Sequence, residues 1–286
     1  MSESAYLCVE MIENASLGPQ SRLMRLGVLL LSGCCLAGCV SRPELGRLEP
    51  ARTWKAAEAN QGVAVDAEHF YAIDDRAIGK YEKTTGRKVA EWRAPSGSPV
   101  RHLNSGIVVA GQLLVAHSNF PAKPDESSVE YFDVDTLRPA GRKIFEQPPG
   151  SLTWLVPSGE GWLACFAHYR LNGDPAQSRL VKFDGRWNAL ASWSFPSELL
   201  ARFGAFSCSG GGYALDGRVW VSGHDARELY VLDLPPGGGT ARWLGTVGFV
   251  SRGQAFAWDP TRPQELYSIQ RKTREVIVSR LSHGSP

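Results

Sequence analysis

Gln61-Gly-Val-Ala-Val-Asp66, His69-Phe-Tyr-Ala-Ile-Asp74, Ile78-Gly-Lys-Tyr-Glu82 and Arg87-Lys-Val-Ala-Glu-Trp92 follow one another with short connections. Each run is brief, rich in β-branched and aromatic residues, and bounded by turn formers such as Lys83-Thr-Thr-Gly86, which predicts four strands joined by tight turns. The pattern then recurs. A second unit runs from Gly106-Ile-Val-Val109 to Arg142-Lys-Ile-Phe145, a third from Leu152-Thr-Trp-Leu-Val156 to Leu190-Ala-Ser-Trp193, and a fourth from Gly212-Tyr-Ala-Leu-Asp216 to Ala241-Arg-Trp-Leu244. A fifth opens at Gln254-Ala-Phe-Ala-Trp-Asp259 and ends, one strand short, at Glu275-Val-Ile-Val-Ser279. Helical periodicity is nearly absent beyond residue 50, with residues 196–203 the one short helical candidate.

The missing strand has a candidate at the other end of the chain. Arg52-Thr-Trp54 precedes the first unit without a partner of its own, and Trp54 matches the aromatic of the other fourth strands: Trp92, Phe145, Trp193 and Trp243. Repeats of roughly 45 residues with four strands each are what a propeller requires. The expected fold is therefore all-β: a five-bladed β-propeller of four-stranded antiparallel blades, closed by an N-terminal strand that completes the last blade. Closure of this kind removes the exposed edges of a linear array. The aromatic row is expected to pack between neighbouring blades.

Composition narrows the function classes. Of 286 residues, 31 are Lys or Arg and 29 Asp or Glu, a net charge of +2 with no basic block, so the electrostatic footprint of a nucleic-acid binder is missing. Thirty Gly and 18 Pro fit a chain of many turns.

The N-terminus carries an address. Arg22 and Arg25 precede an apolar run, residues 26–36, too short to span a bilayer and followed by small residues, as in a secretory signal. Leu36-Ala37-Gly38-Cys39 resembles the lipobox of bacterial lipoproteins. That resemblance implies cleavage before Cys39, lipidation of its thiol with palmitate-type acylation, and, with Val40 rather than Asp next, an outer-membrane destination. Residues 1–38 are thus read as signal peptide, 39–50 as tether and 51–286 as the propeller. The acidic Glu3, Glu10 and Glu13 are unusual before a signal, so Met11 or Met24 is the expected true start. Cys165 and Cys208 remain for the mature domain; two buried thiols are expected, with a disulfide as the alternative.

Antiparallel pairing puts the start of strand one and the end of strand two on the same face. Three of the six histidines, His117, His168 and His224, occupy the strand-two end in successive units, where the other units have Asp74 and Gln270. At strand one stand Gln61, Asn104, Ser105, Ser151, Ser207, Ser209 and Gln254. Together they predict a polar mouth that binds a small polar ligand, with His117, His168 and His224 as proton-transfer groups. The same three histidines are the candidate ligands of a divalent metal, the less favoured role, because no HExxH or CxxC supports a metal independently; no cofactor follows from the sequence. The loops after His117 and His168, the longest of their class, are expected to contribute. Arg76, Arg179, Arg227 and Arg274 precede strand three, as anion clamps or as partners of Asp225, Glu228 and Glu275.

The stretch Gln61-Gly-Val-Ala-Val-Asp66, with Tyr71-Ala-Ile-Asp74 and Tyr81-Glu-Lys-Thr-Thr-Gly-Arg-Lys-Val89, resembles the opening blade of propeller-type glutaminyl cyclotransferases and is similar to bacterial proteins labelled cycloisomerase. The resemblance implies a cyclase-like activity, although the family pattern has Glu where this chain has Asp74. Two functions follow as expectations. One is an envelope enzyme of cyclase, lyase or hydrolase type; the other is a non-catalytic propeller module that recognises an envelope partner or glycan.

Overall fold

The computed structural model describes residues 44–282; the signal sequence, Cys39 and the first tether residues lie outside the described residues. Strand β1 (Glu44–Lys55) reaches back into the stretch expected as tether. Two four-stranded antiparallel sheets follow: β2 (Gly62–Val65), β3 (His69–Asp74), β4 (Ala77–Glu82) and β5 (Lys88–Arg93), then β6 (His102–Val109), β7 (Gln112–Ser118), β8 (Ser127–Asp133) and β9 (Pro139–Phe145). The next set is β10 (Ser151–Ser158), β11 (Gly161–Ala167), β12 (Arg179–Phe183) and β13 (Ala189–Ser194). Helix α1 (Ser197–Phe203) matches the expected helical stretch. After it come β14 (Gly210–Tyr213), β15 (Val219–Ser222), β16 (Glu228–Asp233), the two-residue β17 (Gly239–Thr240) that pairs with β13, and β18 (Arg242–Gly248). The last strands are β19 (Ala257–Trp258), β20 (Glu265–Gln270) and β21 (Glu275–Ser282).

The final sheet has the order β14-β15-β16-β18-β1-β21-β20-β19. Here β1 joins two four-stranded sets: it runs antiparallel to β21, with Trp54 opposite Val276, and its first residues pair parallel with β18. The inner strands touch in sequence, β2 to β6, β6 to β10, β10 to β14 and β14 to β19, and β19 returns to β2. The backbone N–H of Ala255 donates to Gln61 O at 3.2 Å across that last junction. The arrangement is propeller-like.

Physical chemistry accounts for the pattern. Inner strands are covered on both faces, so β2 is buried throughout and reads as an unbroken apolar run, whereas outer β5 and β9 are largely exposed. The core is divided among the gaps between neighbouring sheets: one cluster packs Tyr71 and Ile73 of β3 against Leu103, Leu113 and Phe132, and another packs Trp154 and Cys165 against Val221 and Tyr230. Outer aromatics bridge the same gaps, Trp92 edge-on to Phe132 at 4.8 Å and Trp193 Nε1 donating to Pro235 O at 2.8 Å. The inner backbones approach so closely that a Cβ on Gly210 would lie 2.6 Å from the Ala255 Cα.

The aspartates at so many strand ends also have a cause. Asp66, Asp133, Asp184, Asp216 and Asp259 each accept hydrogen bonds from backbone N–H groups two to four residues on, which closes the turn to the next strand.

Candidate functional site

The expected mouth residues occupy one end of the inner strands, in different settings. Gln61 is buried and its Nε2 donates to Asp75 Oδ1 at 2.7 Å. Asp74 accepts from Asn60 Nδ2 at 2.7 Å and from Arg274 Nη1 at 2.9 Å. Asn104 is buried and ties β6 to β10 by donating to Leu152 O at 2.9 Å. Ser105 is buried beside the inner-strand backbone and borders an apolar cleft of about 180 Å³ at the far ends of these strands, among Ile107, Pro157 and Trp258. Gln254, in the left-handed region at φ +67°, donates its Nε2 to His224 O at 3.4 Å. Gln270 ends β20 and leads directly into Arg271.

The three histidines diverge. His117 is buried; Arg101 N–H donates to its Nε2 at 3.0 Å, so Nδ1 carries the proton toward Ser128 Oγ at 2.9 Å, and Ser128 donates in turn to Glu130 Oε1 at 2.6 Å. Burial, reinforced by Arg142, His102 and Arg101, pulls the His117 pKa down to about 4. His168 directs Nε2 to Pro149 O at 2.8 Å and so fastens the β9–β10 connection. His224 is different: Nδ1 lies 2.8 Å from Asp225, Nε2 faces Arg271 Nη1 at 3.1 Å, and the ring stacks on Phe206 at 4.3 Å.

His117 yields a stability prediction. A histidine whose folded pKa is depressed binds fewer protons folded than unfolded, so its contribution is complete above about pH 6.5 and is lost as pH falls toward 4. The shift corresponds to about 3 kcal/mol. Urea unfolding of wild type should therefore show stability declining between pH 6.5 and 4.5, above the range where carboxylates titrate. His117→Gln should flatten that interval, and an unchanged slope would refute the assignment.

A second set of residues, unnamed by the repeat pattern, closes around the mouth. His102 Nδ1 lies 2.6 Å from Asp75 Oδ1, and the His102 ring is 5.5 Å from Phe120. Phe120 meets Tyr169 edge-on at 4.5 Å; Tyr169 is 6.5 Å from Phe206, which stacks on His224. From His224 the circuit passes through Arg271, whose Nε donates to Asn60 Oδ1 at 3.2 Å, and Asn60 Nδ2 returns to Asp75 Oδ2 at 3.5 Å. Half of the circuit is aromatic and half polar. Phe120 and Tyr169 come from the two long loops expected to contribute.

Burial opposes the ionisation of Asp75, but the His102 imidazole, then Gln61 and Arg271, outweigh it and hold the carboxyl below its usual range. Asp75 is nonetheless 42% exposed and His102 18%, so the pair sits at the solvent boundary. His102 Nε2 makes no hydrogen bond among the described residues. Tyr169 is buried, and Cys165 and Cys208 are free buried thiols.

The strand-three arginines are spoken for in part, with partners other than those expected. Arg274 holds Asp74, Arg76 donates to Pro95 O at 3.1 Å, and Arg179 donates to Gln177 O at 3.1 Å. Glu228 pairs instead with Arg202, Glu275 with Lys55, and Asp225 with His224. Among the described residues no three His, Cys, Asp or Glu side chains converge as a metal ion would need, and no helix is long and apolar enough to cross a membrane.

No protein-family model matches the chain, and no curated protein matches it. Among solved structures it is similar to the glutaminyl cyclase of Myxococcus xanthus, with a TM-score of 0.58 at 10% identity over 85% of this chain and 100% of that one. It is also similar to the PQQ-bound aldose sugar dehydrogenase of Streptomyces coelicolor (TM-score 0.49, 13% identity, 85% of this chain and 100% of that one). A luciferin-regenerating enzyme aligns with a TM-score of 0.48 at 12% identity, over 82% of this chain and 95% of that one. At such identities the first likeness supports the propeller-like fold and nothing about substrate.

Proposed function

We propose that this chain is an acid–base enzyme acting on a small polar ligand at the mouth of a closed five-bladed propeller. The observation that carries the reading is the Asp75–His102 pair: a carboxylate at 2.6 Å orients the imidazole through Nδ1 and leaves Nε2 uncommitted. Arg271, held by Asn60 and His224, supplies positive charge across the same mouth. In this reading His102 moves the proton and His224 positions Arg271. His117 and His168 hold the connections that carry Arg101 and Pro149. Five blades are supported by the four-stranded sets and by the circuit of inner strands. A cyclase, lyase or hydrolase class is compatible with this machinery, and turnover of glutaminyl peptides, lactams and small esters is the direct assay. His102→Gln should lower turnover by about 10²–10⁴-fold with an unchanged melting temperature. Turnover retained in His102→Gln would overturn the assignment, and ligand binding without turnover would favour the non-catalytic module.

The proposal extends to location: a lipoprotein of the bacterial envelope, anchored through Cys39 and destined for the outer membrane. The supporting feature is Leu36-Ala37-Gly38-Cys39 behind its basic and apolar flank. Cys39→Ser should lose palmitate label and leave the membrane fraction. Membrane retention without label would point to an uncleaved anchor instead.

A further inference from the structure

The charges around the mouth are unevenly matched. Asp74 is ion-paired with Arg274 at 2.9 Å, while Asp225 and Asp75 each face an imidazole Nδ1, of His224 at 2.8 Å and of His102 at 2.6 Å. Arg271 has no such partner: among the described residues no carboxylate reaches ion-pair distance of it. Its Nε and Nη1 donate to neutral acceptors, Asn60 Oδ1 at 3.2 Å and His224 Nε2 at 3.1 Å. These two bonds fix the guanidinium plane and leave Nη2 uncommitted. Next to it stands the aromatic half of the circuit, where Phe206 stacks on His224, itself bonded to Arg271, and Phe120 lies against His102 on the other flank. Phe120 and Phe206 are both only half-buried.

We propose that the mouth takes a small organic carboxylate, its carboxylate on Arg271 and a flat apolar body against Phe206 and Phe120. The inference deepens the enzymatic reading by naming its ligand class, and it rests on that reading for the location of the site. A guanidinium fork matches the plane of a carboxylate, and a single fork suits a monoanion better than a phosphate dianion. Aromatic faces beside a carboxylate could also serve an organic cation. Here, however, the Asp75 carboxylate is already engaged by Gln61 Nε2 and His102 Nδ1, and a cation would meet Arg271.

The test is calorimetric titration of the purified protein with sodium benzoate, sodium acetate and benzylamine. Benzoate should bind saturably, acetate far more weakly for want of an apolar body, and benzylamine not measurably. Arg271→Gln should weaken benzoate by about 10–100-fold, the loss of one charged hydrogen-bonding group, while Arg271→Lys restores part of it. Phe206→Leu should weaken benzoate and leave acetate unchanged. Arg242→Gln, at an exposed arginine of β18 outside the mouth, should leave benzoate binding as in wild type, which separates a site from a diffuse surface charge. Benzylamine binding as tightly as benzoate, benzoate indifferent to Arg271→Gln, or no saturable benzoate binding would each overturn the proposal. Binding is read without turnover, so the two readings fail separately. Benzoate binding through Arg271 in a protein without turnover sinks only catalysis, and His102-dependent turnover without benzoate binding sinks only the ligand class.

Discussion

Replacing Lys83 with methionine should cost about 3–5 kcal/mol of stability. Lys83 sits in the turn between β4 and β5, and Asp259 follows β19, so the pair bridges the first and last repeats. Its Nζ lies 2.7 Å from Asp259 Oδ2, with 7% and 0% of the two side chains exposed. The approach falls outside hydrogen-bond geometry at Oδ2, so the interaction is one of charge. Lys83 also donates to the carbonyls of Asp66 at 2.9 Å and Ala67 at 3.1 Å, while Asp259 Oδ1 accepts from the backbone and hydroxyl of Thr261. Burial works to raise the Asp259 carboxyl pKa; Lys83 and Thr261 prevail and hold it below the usual range. Methionine fills much of the same volume but strands a buried carboxylate and two acceptors. The sign with pH follows. The wild-type carboxylate contributes stability above its unfolded pKa and loses it in acid, whereas in Lys83→Met the carboxyl is driven upward and escapes by taking a proton. Urea unfolding should therefore show a larger deficit at pH 7 than at pH 4. A deficit below about 1 kcal/mol at pH 7, the range of an exposed ion pair, would mean that the pair is solvated.

The sheets were legible in the sequence because their causes are local. Inner strands buried on both faces must be apolar runs, strand-end aspartates must close turns, and both signals survive in one chain without an alignment. The strand carrying Trp54 could be placed by elimination, since one repeat was a strand short and one strand was unclaimed. The mouth was legible only in outline. His117, His168 and His224 share a repeat position, yet equivalent positions did not confer equivalent surroundings. His117 lies within β7, opposite Leu103 and Ser128, and is buried; His224 lies beyond the end of β15, free of the ladder, and turns to Phe206 and Arg271. The apolar pattern of the second repeat starts at Gly106, whereas β6 begins at His102, so the imidazole that meets Asp75 stands outside the apolar run that marks the strand. Asp74 and Asp75 are adjacent and chemically identical, and only coordinates show that the first holds Arg274 while the second faces His102. Pairings between loops far apart in sequence leave no local periodicity to read.

Deleting residues 44–55 should abolish cooperative folding of the whole domain rather than loosen one end of it. Strand β1 pairs with β21 along most of its length and touches β18 at its start, so its removal opens two edges at once. Leu48, fully buried, leaves a cluster with Val231, Val247 and Leu266; Trp54 leaves another with Ala56, Val276 and Val278. Arg52, whose Nη2 donates to the fully buried Glu265 at 2.7 Å, is lost as well, leaving that carboxylate to Arg280 and Arg262. Trp54→Ala alone should cost about 2–3 kcal/mol, since the ring packs on the cluster while remaining partly exposed. Gly86 reports on the same contact: a Cβ there would lie 2.4 Å from the Trp54 ring, so Gly86→Ala should destabilise wild type more than the Trp54→Ala background, where only the cost of a left-handed alanine at φ +70° remains. The extent of the damage discriminates between architectures. In an open array, stability is a sum of repeat and neighbour terms, and losing a terminal strand frays only the adjoining repeat. In a closed ring, the junction between last and first repeats supports every other one, and hydrogen exchange should accelerate in β6 to β13 as much as in β20 and β21. A truncated protein with an unaltered melting curve, or with faster exchange confined to β20 and β21, would rule out the closed ring.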